Sequence, residues 1–443
     1  MKYLVLLTFV LSLLFTHHAS AEPTSGALGI FNLTISTGRE SLDPVLNDVP
    51  GFGRLNVSYV RAAILWGQFE PEKGKFDWNC PEATRIDALL ASGTKVVPTI
   101  RALSGWAVKK PEAKKCASPP TDMRSTPNEK YGYSESYYNF IKKVAEHYKG
   151  KFEYIVIENE MHSGNFWCGS MDDYLHLLAT ARKAFKEVDP NVKISDGGIQ
   201  GGTLCWLVVR DYVNRGKVDD AMAFLRKFRP DQGVAKRFER MLSKRTDADA
   251  QKNAIYLLEN GMGDLVDVLN FHSYQSAETL TEINAYLKKQ VNKPLMTNEL
   301  GIKLRGGGSV AEAAKELTKK LTVLLALDVK PIIWFSPPGQ TDSHTGAIVR
   351  HDQSVIEPTM SALRTALRYL DRPTRSSRDL SNQKMALFSF GFPSETVDVA
   401  WSLSGESPLD LRSGCKAYDY VGNGLQGSRI SIANSPIYMV CPN

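Results

Sequence analysis

The stretch EYIVIENEMH, residues 153–162, is an apolar, β-branched run that ends in two glutamates flanking an asparagine. A short run of Tyr, Ile and Val suits the covered, pleated face of a sheet, so the first half reads as a buried strand. Seven other runs share its texture: ALGIFNLTI from Ala27, VSYVRAAILW from Val57, KVVPTIRAL from Lys95, VKISDGGIQ from Val192, VDVLNFHSY from Val266, PLMTNELG from Pro294 and KPIIWFSPP from Lys330. Between them lie longer stretches of helical period. Tyr137, Phe140, Ile141, Val144, Ala145 and Tyr148 make one apolar stripe, and MDDYLHLLATARKAFKEV and SVAEAAKELTKKLTVLLALDV repeat it. Strands alternating with helices are the pattern of βα units and a parallel sheet. Eight of them predict an α/β fold that closes into a (β/α)8 TIM barrel, a fold of about 250 residues or more.

The rest of the chain is arranged around that barrel. The 443 residues are 43% hydrophobic and 23% charged, an ordinary globular composition with room for one large domain or two. Residues 1–21 carry Lys2, an apolar stretch too short to span a bilayer and the small-residue pattern Ala19-Ser20-Ala21, which read as a signal peptide. No later segment is apolar for the roughly 18 residues that a membrane helix needs. The expected protein is therefore exported: extracellular, or periplasmic in a Gram-negative host. The barrel is expected over 22–373, with an insertion around 205–263 too long for one crossover. From Thr374 short alternating runs bounded by Gly, Ser and Asn predict a small β-sandwich over 374–443.

Six cysteines, at 80, 116, 168, 205, 415 and 441, permit three disulfides in an oxidising compartment. Closeness in sequence favours Cys415–Cys441, then Cys80–Cys116 and Cys168–Cys205. The net charge of +6 is interspersed, which favours neither a nucleic acid nor a membrane partner. His162, His176, His344 and His351 make no zinc-type spacing, so no metal is expected, and the RGGGS loop from Arg305 lacks a phosphate-binding pattern. Asn32-Leu-Thr and Asn56-Val-Ser are glycosylation sequons.

In a barrel of this kind the side chains at the C-terminal strand ends face the ligand. Acids at the ends of the fourth and seventh runs, Glu160 in IENE and Glu299 in MTNELG, would meet over one mouth. Two carboxylates so placed are what glycosidic cleavage needs, one to protonate the leaving oxygen and one to attack or to activate water. The Asn-Glu pair closing one strand and the lone Glu closing another resemble clan A of the glycoside hydrolases, the retaining (β/α)8 enzymes, closest in texture to family 39 and its relatives. VRAAILWGQFEPEKGKFDW resembles the clan's second strand and loop, VVPTIRALSGWA its third strand and FHSYQS its sixth; GAIVRHDQSVIEPTMSALRTAL resembles the segment after the eighth, and PIYMV the last strand of the β-domain.

The resemblance implies an enzyme that needs no cofactor and takes an oligo- or polysaccharide, with β-linkage following from the clan's habit. It implies Glu160 as general acid/base and Glu299 as nucleophile. Asn159 would bond the sugar 2-hydroxyl, Arg61 would hold Glu299 ionised, Tyr274 would donate to Glu299, Trp334 would floor a subsite, and His272 would orient a neighbour or fill the core. The chain departs from the clan where Met161-His162 follow Asn-Glu in place of Pro, and where Glu158 occupies a position commonly aromatic. Residues two apart in a strand point to the same side, so Glu158 competes with Glu160 for the acid role; the clan motif and the outer position favour Glu160, with Glu158 then a deeper, partnered acid. Trp66, Trp106, Trp167 and Trp206 read as core or rim packing. Two other readings stay open: a carbohydrate-binding or exopolysaccharide-processing barrel without turnover, and a transglycosylase using the same glutamates. The sugar and the oligomeric state are not legible, because specificity lives in loops that fold analogy does not transfer.

Overall fold

The computed structural model describes residues 26–31, 43–49, 51, 53–112, 116–125, 129–228, 233, 238, 249–302, 309–336, 348, 354–372 and 376–443. The expected signal segment, the Asn32 sequon, most of the Arg305 loop, His344 and His351 lie outside these residues.

The eight expected strands are all present, one of them in two pieces. They are β1 (Leu28–Phe31), β2 (Tyr59–Leu65), β3 (Lys95–Arg101), β4 (Tyr154–Ile157), β5 (Lys193–Asp196), β6 (Ile199–Gln200), β7 (Leu269–Ser273), β8 (Leu295–Leu300) and β9 (Ile332–Phe335). The parallel sheet runs β5-β4-β3-β2-β1-β9-β8-β7-β6. Its two ends are successive pieces of one strand: β5 pairs with β4, β6 pairs with β7, and a Ser195–Val268 bridge joins the seam. The sheet therefore closes into an eight-stranded barrel. Gly197 and Gly198 make the break, and close approach explains them. A Cβ on Gly197 would stand 2.7 Å from the Glu158 carbonyl carbon, and one on Gly198, where φ is +84°, would stand 2.4 Å from His272 Nε2.

The helices between the strands start where local chemistry dictates. Ser134 caps Glu135–His147, and Ser170 with Asp173 and Ser309 with Glu312 form capping boxes on Met171–Val188 and Val310–Ala326. The stripe Tyr137, Phe140, Ile141, Val144 and Ala145 is buried as its period requires. The expected insertion contains the helices Gly201–Asn214, Val218–Phe228, Asp249–Glu259 and Met262–Leu265, which pack on the outer helical layer.

Inside the barrel, strand alternation sorts the side chains into layers. Tyr59, Val97, Tyr154, Val156, Val268, Met296 and Ile333 form a separate apolar cluster. Two residues further along their strands come Arg61, Thr99, Asn270 and Asn298, all buried. An apolar floor thus carries a polar layer toward the C-terminal ends of the strands.

Beyond Leu370 the chain forms antiparallel sheets. β10 (Ser376–Asp379), β11 (Met385–Gly391), β12 (Glu395–Ser402), β13 (Ser407–Asp410), β14 (Lys416–Asp419), β15 (Gly424–Leu425), β16 (Arg429–Ile432) and β17 (Ile437–Pro442) make a six-stranded sheet, β10-β11-β12-β17-β14-β15, and a β13–β16 pair. Ala400, Ala417, Ile430, Ile432, Ile437 and Met439 are buried as one cluster of this β region. Phe388, Phe390, Val397, Val399, Trp401 and Tyr438 belong instead to the main core shared with the barrel helices. The β-sandwich is thus small and unequal, with one face spent on packing against the barrel.

The cysteines correct two expected pairings. Cys415–Cys441 forms as expected, but Cys116 bonds Cys168, and Cys80 and Cys205 are buried free thiols. Parallel strands place successive βα loops side by side, so residues far apart in sequence meet. The Cys168 amide donates to Ala117 O at 2.8 Å, beside a bridge between Ala117 and Trp167.

Candidate active site

Glu160 and Glu299 both depart from regular strand geometry, in different ways. β4 ends at Ile157, and Glu158 and Glu160 have φ of +69° and +45°, values that L-residues rarely adopt and that cluster at functional sites. Their amides are held by carbonyls of the flanking strands, Glu158 N donating to Ile100 O and Glu160 N to Gly197 O, each at 2.9 Å. In β8 the ladders to both neighbours slip by one residue before Glu299, so that His272 pairs with Glu299 and Leu300 with Trp334. By strict alternation Asn298 and Glu299 would point to opposite sides. The bulge lets both take part in one network.

Arg61 anchors the Glu299 side. Its Nη1 donates to Glu299 Oε2 at 2.8 Å and to Asn298 O at 3.2 Å, its Nη2 to Asn159 Oδ1 at 2.7 Å, and its Nε to Thr99 Oγ1 at 3.0 Å. Tyr274 OH donates to the other Glu299 oxygen at 2.7 Å. Burial alone would raise the Glu299 carboxyl pKa. The charges of His272 and Arg61 and the hydrogen bonds from Tyr274 and Arg61 more than offset this and hold the group below its ordinary value.

Glu160, 5% exposed, meets different partners. Its Oε1 lies 2.9 Å from His272 Nδ1, and its Oε2 accepts from Gln200 Nε2. His272 Nδ1 is also 3.7 Å from Glu299 Oε2. One oxygen of each glutamate and a ring nitrogen of His272 all lie within 4.8 Å of one another. Burial depresses the His272 pKa, but the two carboxylates outweigh it and raise the pKa above its ordinary value. Two carboxylates and an imidazole are also a donor set for a divalent ion. The Arg61 guanidinium already bonded into that set opposes a second cation there.

Of the seven residues expected at the site, the structure brings six together: Arg61, Asn159, Glu160, His272, Tyr274 and Glu299. Trp334 is a fully buried member of the core cluster. Of the two candidates for the acid role, Glu158 is the deeper, partnered one, as the preference for Glu160 expected. The positive φ values break the strand, and Glu158 accepts from Ala102 N at 2.5 Å and lies 3.5 Å from Arg101 Nε. Burial pushes its pKa up to about 6 against the pull of Arg101. Trp66 and Trp167 are core residues, and Trp106 and Trp206 are half-buried against that core, as the packing reading expected.

Thr99, Asp196, Gln200, Asn270 and Asn298 are members of this site that the sequence reading missed. Parity would have found three of them: Thr99, Asn270 and Asn298 each lie two residues beyond an apolar residue of the barrel interior.

With this geometry in hand, likeness to known proteins can be weighed. No family model matches the chain, and no curated protein sequence matches it. Solved structures do. A family 39 glycoside hydrolase from Bacteroides cellulosilyticus WH2 superposes with a TM-score of 0.62 at 16% identity, over 94% of this chain and 80% of that one. A family 39 β-xylosidase from Caulobacter crescentus gives 0.54 at 14%, and a family 30 endoxylanase from Clostridium papyrosolvens C71 gives 0.53 at 13%, each over 95% of this chain and 97% of the other. The chain has the glycoside hydrolase barrel fold. The structural likeness extends along nearly the whole chain.

Proposed function

We propose that this protein is an exported retaining glycoside hydrolase that cleaves glycans by double displacement. The observation that carries the reading is the approach of Glu160 and Glu299, with an oxygen of one within 4.8 Å of an oxygen of the other. Retaining enzymes hold their carboxyl groups about 5–5.5 Å apart, whereas inverting ones need about 6.5–9.5 Å to admit a water.

In this reading Glu299, kept ionised by Arg61 and Tyr274, attacks the anomeric carbon while Glu160 gives its proton to the departing oxygen. Glu160 then takes a proton from the water that releases the sugar. Asn159, fixed by Arg61, bonds the 2-hydroxyl. Trp334 would have to be uncovered before a sugar could stack on it. Two disulfides and the leader-like N-terminus support export, and no helix among the described residues is long and apolar enough to cross a membrane.

The test is release of reducing ends by the protein from Glu22 onward, with Glu299→Gln beside it. The substrate panel starts with xylan and aryl β-xylosides, because two structural neighbours are a xylosidase and a xylanase. Turnover by the parent that vanishes in the variant supports the reading. Transfer to a sugar acceptor in place of water would make it a transglycosylase. Glycan binding without turnover in either protein would replace it with the binding-protein reading.

A further inference from the structure

We propose that Asn298 is a positioning residue that fixes which nitrogen of His272 carries hydrogen, and so keeps the proton of the Glu160–His272 contact available to Glu160. The catalytic part of this inference rests on the glycosidase reading above. The hydrogen-bond assignment does not.

The assignment starts from a donor whose identity is certain. The Asn298 backbone N–H donates to Asn270 Oδ1 at 3.1 Å, which makes the other side-chain atom of Asn270 its NH2. That NH2 donates to Asn298 Oδ1 at 2.7 Å, so the atom of Asn298 facing it is an acceptor. His272 Nε2 lies 2.9 Å from the same Oδ1 and must therefore donate. The remaining ring nitrogen, Nδ1, is the one 2.9 Å from Glu160 Oε1. One proton must lie in that contact, either on Glu160 facing neutral imidazole or on imidazolium facing a carboxylate.

The alternative tautomer shows what Asn298 prevents. A neutral His272 with hydrogen on Nδ1 would donate to Glu160 and hold it as a carboxylate, unable to protonate a leaving group. The Nε2–H tautomer leaves the proton with Glu160 whenever the imidazole is neutral. Thr99, Asp196, Asn270, His272 and Asn298 are all 2% exposed or less, so solvent cannot substitute for the missing acceptor. Asn270 is itself anchored, its backbone N–H donating to Asp196 Oδ1 at 2.8 Å. The opposite end of the Asn298 amide donates to Thr99 Oγ1 at 3.2 Å, the same oxygen that receives Arg61 Nε. One side chain thereby ties the acid side of the site to the nucleophile side. The charged or titratable groups acting on His272 are Glu160, Glu299, Arg61, His162 and Asp196.

The experiment is 15N NMR of the histidine-labelled protein from Glu22 onward, with the His272 signals assigned by their loss in His272→Gln. In the parent, neutral His272 is expected to carry hydrogen on Nε2. Asn298→Asp, which keeps an acceptor, should retain that tautomer, and Asn298→Ala should shift it toward Nδ1–H. With aryl glycosides, Asn298→Ala should lower kcat about 10-fold for poor leaving groups and hardly at all for activated ones, with KM little changed, the signature of impaired general acid catalysis. A parent whose neutral His272 carries hydrogen on Nδ1 overturns the inference without any variant being needed. An unaltered tautomer in Asn298→Ala overturns it as well. A parent with the expected tautomer but no turnover would remove the glycosidase reading and leave the assignment intact.

Discussion

Glu153 stands just before β4 and Glu160 just after it, so a single strand carries the same side chain at both mouths of the barrel. Glu153 is one-third exposed and meets Lys95 at 3.0 Å, Lys193 at 3.4 Å and Tyr59 OH at 2.9 Å. Glu160 is buried, and among the described residues its side chain meets His272 and Gln200. At the N-terminal end the acid is neutralised by cations that solvent screens. At the C-terminal end it faces a histidine and, within 4.8 Å, a second carboxylate. Conflicting demands on one proton are what acid–base chemistry requires, whereas matched charges only stabilise. The backbone follows the same division, with regular ladder at Tyr154 and left-handed residues at Glu158 and Glu160.

The sharpest way to break this comparison is to remove charge at the active end. Glu299→Gln is expected to lower kcat by on the order of 10⁴-fold or more, because the proposed nucleophile is lost. Steady-state hydrolysis of an aryl glycoside measures it, and a loss below tenfold would move the nucleophile elsewhere. The acid limb of the parent's pH profile should lie below the ordinary carboxylate range, because the Glu299 pKa is lowered and the ionised form persists to lower pH. Glu160→Ala ranks second, with an expected loss of about 10²–10⁴-fold for poor leaving groups and far less for activated ones. An equal loss across leaving groups would deny Glu160 the acid role.

The fold was legible because periodicity encodes it. Runs such as KVVPTIRAL and YIVIENE alternate with stripes such as that of Tyr137 to Tyr148, and that alternation needs no long-range information. The pair Glu160 and Glu299 was legible because strand ends in a barrel face the ligand. What escaped depends on departures from regularity. Nothing in IENE announces positive φ at Glu158 and Glu160, so the pairing of Glu158 with Arg101 and the Ala102 amide was not legible. The one-residue bulge before Glu299, which admits Asn298 to the network, leaves no mark on composition. Cys116–Cys168 depends on two loops lying side by side, which sequence separation cannot report.

Glu158 provides a third prediction, smaller and read in stability. Its pKa of about 6 in the folded protein exceeds the ordinary 4.5, so folding favours the protonated form. Its contribution is therefore greatest below the ordinary value and declines as pH rises through about 6, by roughly 2 kcal/mol in total. Glu158→Gln lacks this decline. Urea unfolding of parent and variant at pH 4.5 and pH 8 should show the variant gaining on the parent by about that amount at the higher pH. A difference between the two proteins that does not vary with pH would mean that Arg101 and the Ala102 amide fully offset the burial of Glu158.

Glu153, at the far end of the strand, should give the smallest effect and the opposite sign. Burial raises its pKa, but Lys95, Tyr59 and Lys193 outweigh burial and lower it, so folding favours the ionised form. Its contribution is present above the ordinary carboxylate range and disappears as pH falls through the lowered value. Glu153→Gln is expected to cost less than about 1 kcal/mol at pH 7, the range of exposed ion pairs, and nothing measurable once the parent's carboxyl is protonated. Added salt should shrink the deficit, since partly exposed charges are screened. Activity should be unchanged. A drop in kcat matching that of Glu160→Ala would show that the two ends of β4 are coupled, and the division of labour drawn between them would fail.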